Sequence, residues 1–107
     1  METGEFALVL TTIPLDCDAS ALASSLVSDR LAACVNVLPV MQSIYRWKGT
    51  VEQASEHQLV IKTTASRVAE LEARLKALHP YEVPEVLVLS VAGGSEAYLT
   101  WLRESCE

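Results

Sequence analysis

Apolar positions along this chain follow two different periods. From Phe6 to Leu10 they are continuous, ending in Thr11-Thr12 with Pro14 close behind, which predicts a buried strand leading into a loop. Leu22, Ala23, Leu26 and Val27 then recur at helical spacing up to Arg30, with Asp16 or Asp18 offering an N-cap. The stretch from Leu31 to Thr64 returns to strand chemistry. Val35, Val37, Val40, Ile44, Tyr45 and Trp47 lead out, Trp47-Lys48-Gly49-Thr50 makes a tight turn, and Val51, Leu59, Val60 and Ile61 lead back. Pro39 excludes an uninterrupted helix here and predicts a bulge or bend. Ser66 is the expected N-cap of a second helix whose stripe is Val68, Leu71, Leu75 and Leu78, with Glu70–Arg74 and Glu72–Lys76 pairs on its wet face. His79-Pro80 ends that helix, because a residue before proline is pushed out of helical backbone. Pro84 opens a last strand over Glu85 to Ala92, Gly93-Gly94 breaks it, and Ser95 caps a short helix carrying Tyr98, Leu99, Trp101 and Leu102.

The order is β-α-β-β-α-β plus a terminal helix: an α+β, ferredoxin-like arrangement in one domain over residues 1–107. Its two crossover helices should cover one face of a four-stranded antiparallel sheet. Leu31 to Trp47, run straight at about 3.3 Å per residue, would reach roughly 56 Å. A compact domain of this length has a radius of gyration of only about 13 Å, so the hairpin formed by the second and third strands should project. Its tip carries Ile44, Tyr45, Trp47 and Val51, a patch that marks an interface. Phe6 to Leu10, Leu59 to Ile61 and Val86 to Ala92 are moreover apolar at successive positions, as in strands buried on both faces. The short last helix cannot cover the second face. Another copy of the chain is the simplest cover, and self-association follows.

Charge narrows the partners. Fourteen acidic residues against eight basic ones give a net charge of −6, with no Lys/Arg cluster. Nucleic acid and anionic membrane surfaces are poor partners for such a chain, and a solubility role for the charge outweighs a metal-attracting one. Cys17, Cys34 and Cys106 are odd in number and widely spaced, which argues against a disulfide framework and for a reducing compartment. The acidic start, Met1 to Glu5, lacks the charge and length of a signal peptide, and no apolar run approaches transmembrane length. A cytoplasmic location is expected.

The densest polar segment is His79-Pro80-Tyr81-Glu82-Val83-Pro84-Glu85, where two prolines restrain an imidazole, a phenol and two carboxylates. Imidazole nitrogen and carboxylate oxygen are ordinary ligands for zinc or copper. A rigid connector, with Glu82 in solvent and His79 bonded to the end of its own helix, explains the same segment equally well. Cys17 reads as part of a capping loop, Cys34 as a small buried hydrophobe, Cys106 as part of a frayed end, and His57 as a surface residue. Gly93-Gly94-Ser95 could hold an anion at a helix start, but Glu96 opposes one, and a plain turn is preferred. No G-x-S-x-G, H-E-x-x-H or triad pattern is present, so no catalytic residues are assigned; an acid–base pair of His79 and Glu85 is the weakest of the readings.

Five segments in order, Leu31 to Val37, Ile44 to Gly49, Ile61 to Thr63, His79 to Glu85 and Ala97 to Leu102, closely resemble the CutA family of divalent-cation-tolerance proteins. The resemblance covers about Ala7 to Leu102. It implies a tight homotrimer whose long hairpins pair, with Ile44, Tyr45, Trp47 and Val51 at the trimer interface. It also implies a part in tolerance of copper or another divalent cation through binding the ion, with His79, Glu85 and Glu82 as metal candidates and Thr11, Lys62 and Tyr81 as further cleft candidates. Some relatives have a cysteine at the end of the first strand, where this chain has Thr11, so its softest donor is missing. The family is similar in trimeric architecture to PII-type signalling proteins. The alternative is therefore a sensor of a small anionic metabolite at an inter-subunit cleft, with Lys62, Arg46 or Lys48 reaching into it.

Overall fold

The computed structural model describes residues 4–107; the acidic start at Met1-Glu2-Thr3 lies outside them. Strand β1 (Phe6–Pro14) leads to helix α1 (Ala19–Ser28), β2 (Cys34–Val37), β3 (Met41–Trp47) and β4 (Thr50–Thr64). A short 3-10 turn (Ala65–Arg67), α2 (Val68–Leu78), β5 (Leu87–Ser90) and α3 (Glu96–Ser105) follow. β1 sits between β4 and β5, β4 carries β2 on its other edge, and every pairing is antiparallel. With β2 and β3 taken as one interrupted strand, this is the ferredoxin-like order expected from the pattern.

Strand limits shift for reasons visible in the register. β1 continues past Leu10 because Thr11, Thr12 and Ile13 pair with Leu59, Gln58 and His57, and Pro14 is tolerated as its last residue. β5 is shorter than its apolar run because it pairs only with Ala7 to Leu10. Val37 lies opposite Leu59 and Met41 opposite Glu56, so Leu38, Pro39 and Val40 face only His57 and Gln58. One extra residue makes this the bulge that Pro39 predicts. At the far end Trp47 pairs with Thr50, and Lys48 and Gly49 take φ of 49° and 81°, the signs of a two-residue type I′ turn.

Val9 and Ile13 of β1 and Leu59 and Ile61 of β4 pack against Leu26 of α1 and Leu71 and Leu75 of α2. Phe6 instead joins Ala33, Leu99, Leu102 and Cys106 in a smaller cluster under α3. Much of that second face has no cover in one chain. Leu87 and Leu89 are 55% and 44% exposed, as are Ile44 (66%) and Val51 (63%) on the hairpin arm. The molecule is correspondingly elongated, 44 × 26 × 24 Å with a radius of gyration of 14.5 Å.

Three local expectations change. Ser66 lies in the 3-10 turn and bonds Thr64 rather than capping α2. Arg74 reaches across to Asp29 at 2.8 Å while Glu70 pairs with Arg67, leaving Glu72–Lys76 as the expected i, i+4 pair. Cys106 is buried, with its carbonyl accepting from Arg67 Nε at 2.8 Å, so that end is anchored. Asp18 caps α1 and Ser95 caps α3, as their positions predict.

Candidate functional site

α2 ends where His79 turns extended ahead of Pro80, and the chain then crosses as a connector, residues 79–86, to β5. His79 Nε2 faces the carbonyl of Thr12, so it carries the proton and donates. Nδ1 accepts from the Tyr81 amide at 3.2 Å, and the two rings lie 4.7 Å apart, tilted by 47°. Both imidazole nitrogens are thus engaged, Nε2 by β1 and Nδ1 within the connector. His79 pins it to β1 and presents no lone pair to a cation.

Tyr81 Oη donates to Glu56 Oε2 at 2.8 Å, and Glu56 is only 6% exposed. Burial first, then the Glu56 carboxylate that accepts its proton, push the Tyr81 phenol well above its ordinary range. It stays a donor. Glu85 reaches the same corner, where Gln58 Nε2 donates to Glu85 Oε2 at 3.0 Å and to the Thr11 carbonyl at 2.8 Å. Glu82 stands in solvent.

Of the residues singled out in the sequence, His79, Tyr81 and Glu85 therefore meet at one corner, and Glu82 borders it. Lys62 does not join them. It is paired opposite Leu8 and Cys34, its ammonium 5.8 Å from the Tyr98 ring, and four strand residues, about 13 Å, separate it from Gln58. Arg46 and Lys48 sit at the arm tip against Gly49 and Trp47. Thr11 contributes its carbonyl, while its side chain is turned away. Pairing with Leu59 and alternation with Val9 and Ile13 place that side chain in the helix-side core, where Oγ1 is buried without a hydrogen-bond partner among the described residues. A buried orphan hydroxyl costs about 1–3 kcal/mol. Thr11→Val should therefore raise the unfolding free energy by about 1 kcal/mol, read as a higher urea midpoint, and a fall would show that the hydroxyl has a partner.

Sequence reading missed Glu56, His57 and Gln58. His57 is half-buried and donates Nδ1–H to the Leu38 carbonyl at 2.8 Å, which leaves Nε2 with its lone pair. Its partner is a backbone carbonyl 19 positions away, so no local motif announces it. Elsewhere Ser95 Oγ accepts from the Tyr98 amide at 3.2 Å, in keeping with a plain cap. Cys17 lines a shallow apolar cleft of about 240 Å³ with Ile13, Leu22, Leu75 and His79.

The corner fits a divalent cation only in part. Glu85 Oε1 and Glu82 offer carboxylate oxygen, but the His79 nitrogens are taken, and among the described residues no three His, Cys, Asp or Glu side chains are placed to hold one ion.

The arrangement has relatives. Residues 7–105 match the family described as CutA1 divalent ion tolerance protein. The divalent-cation tolerance protein CutA of Thermus thermophilus is 49% identical over 98 residues, covering 92% of this chain and 95% of that one. Among solved structures, CutA from Xylella fastidiosa superposes with a TM-score of 0.91 at 42% identity, covering 96% and 99% of the two chains. A PII-like protein CutA from Nostoc, solved in apo form, superposes with a TM-score of 0.87 at 31% identity, covering 94% and 97%. The chain shares its overall fold with these structures, and it belongs to the CutA1 divalent ion tolerance family.

Proposed function

We propose that this chain acts as a cytoplasmic homotrimer in the response to divalent metal ions, binding the ion at the connector corner rather than transforming a substrate. The observation that supports this reading is a pair of carboxylates, Glu82 exposed and Glu85 partly exposed, held beside a sheet face that the described residues leave largely uncovered. One protomer supplies too few donors, and a second copy laid over that face completes the set. Carboxylate oxygen suits hard cations, whereas copper favours nitrogen and sulfur. To bind copper through an imidazole, the protein would have to use His57 Nε2 or displace the Tyr81 amide from His79 Nδ1.

Calorimetric titration of Mn²⁺, Zn²⁺ and Cu²⁺ into the wild-type protein and the Glu85→Gln, His57→Ala and His79→Ala variants tests this. Glu85→Gln should lose at least tenfold in affinity for Mn²⁺, while His79→Ala changes stability more than binding. Binding that survives Glu85→Gln unchanged removes the corner from the function.

A small anionic metabolite is the second reading. Lys62 favours it, since its ammonium makes no ion pair among the described residues and stands beside an exposed aromatic ring. A thermal-shift screen of nucleotides and organic acids separates the two, because a ligand of the native state raises apparent stability.

A further inference from the structure

Three consecutive residues of β4 tie together the connector, β1 and the bulge. Glu56 accepts from Tyr81 in the connector; Gln58 donates to Glu85 in the connector and to the Thr11 carbonyl of β1; His57 donates to Leu38 at the bulge. The bulge is the root of the arm, and Met41, where the outer arm strand begins, lies opposite Glu56. At a bulge one residue is left out of the ladder and the strand bends, so side-chain ties there decide how the arm is held.

We propose that Glu56, His57 and Gln58 form a latch through which the connector and the arm root loosen and tighten together, and that a cation drawing on Glu85 works it. The second clause rests on the cation reading above; the first stands without it. Glu56 is buried, so losing the Tyr81 hydroxyl leaves a carboxylate without that partner on the stretch of β4 where Met41 is paired, and its turn toward water pulls on that pairing. Gln58 acts in the same sense from the other side. A cation on Glu85 competes for the charge that holds the Gln58 amide, and a slackened Gln58 frees the strand beside His57 and the bulge.

Amide exchange on the full chain in its native assembly tests the latch. Tyr81→Phe keeps the ring and removes one hydrogen bond, and Gln58→Leu cuts the other tie. Each should speed exchange at least fivefold in both the connector and residues 38–41, about fivefold being the change expected for one such bond in a shared opening. Gln42→Ala, which removes a contact to Ser55 within the arm, should leave the connector untouched. Acceleration confined to the segment carrying each substitution overturns the latch. For the second clause, Mn²⁺ should change exchange in both segments of the wild-type protein and in neither segment of Glu85→Gln. An ion that binds by calorimetry and alters the connector alone overturns that clause. No binding to the wild-type protein defeats the cation reading, and the two latch variants then decide the first clause unaided.

Discussion

Ile44→Asp combined with Val51→Asp is expected to leave the chain folded and to reduce its sedimentation to that of a single subunit. Ile44 and Arg46 lie opposite Gln53 and Val51, while Tyr45 and Trp47 lie opposite Glu52 and Thr50, so alternation gives the arm apolar groups on both faces. Laying the arm on one surface would hide only one of them. Shelter on both sides calls for neighbouring arms, the arrangement proposed for the trimer. The two aspartates remove the largest exposed apolar areas on one arm face and add like charges that repeat in every copy. They touch neither core cluster, so far-UV circular dichroism should stay near that of the wild-type protein. An unchanged sedimentation coefficient at micromolar concentration would show that the arm does not hold the assembly.

Leu75→Ala is expected to cost about 2–5 kcal/mol of unfolding free energy, read as a lower denaturant midpoint with an unchanged m value at one fixed protein concentration. Leu75 is 1% exposed and packs among the residues that join α2 to the sheet. The residue also supports the corner, because its carbonyl accepts the His79 amide at 2.9 Å in the last turn of α2. Loosening that turn releases the imidazole from Thr12. Exchange at the Tyr81 amide should therefore accelerate beyond the global change, whereas a loss below 1 kcal/mol would mean that α2 is not fastened by this side chain.

The connector shows how far local chemistry carries. His79-Pro80 stops α2 in the structure as it does on paper, since the restriction acts between adjacent residues. That His79, Tyr81 and Glu85 share a corner also follows from their nearness in the chain. Their chemical roles do not. His79 looks like a ligand in the sequence and is a pin in the fold, because its two partners, the Thr12 carbonyl and the Tyr81 amide, consume both nitrogens. His57 looks like a surface residue and is half-buried, its Nδ1 tied to Leu38 and its Nε2 without a partner among the described residues. Cys106, at the end of the chain, is fastened by Arg67, 39 positions earlier.

Element order, the bulge at Pro39, the turn at Lys48-Gly49 and the surplus of apolar strand were all legible from the chain alone. Each depends on a residue and its near neighbours: a missing N–H, a positive φ, an alternation of side chains. The latch was not legible, because its bonds join residues 19 to 47 positions apart and exist only once the β1–β4 register has decided which side chain meets which carbonyl. Backbone chemistry shaped the parts, and distance in sequence hid the joints.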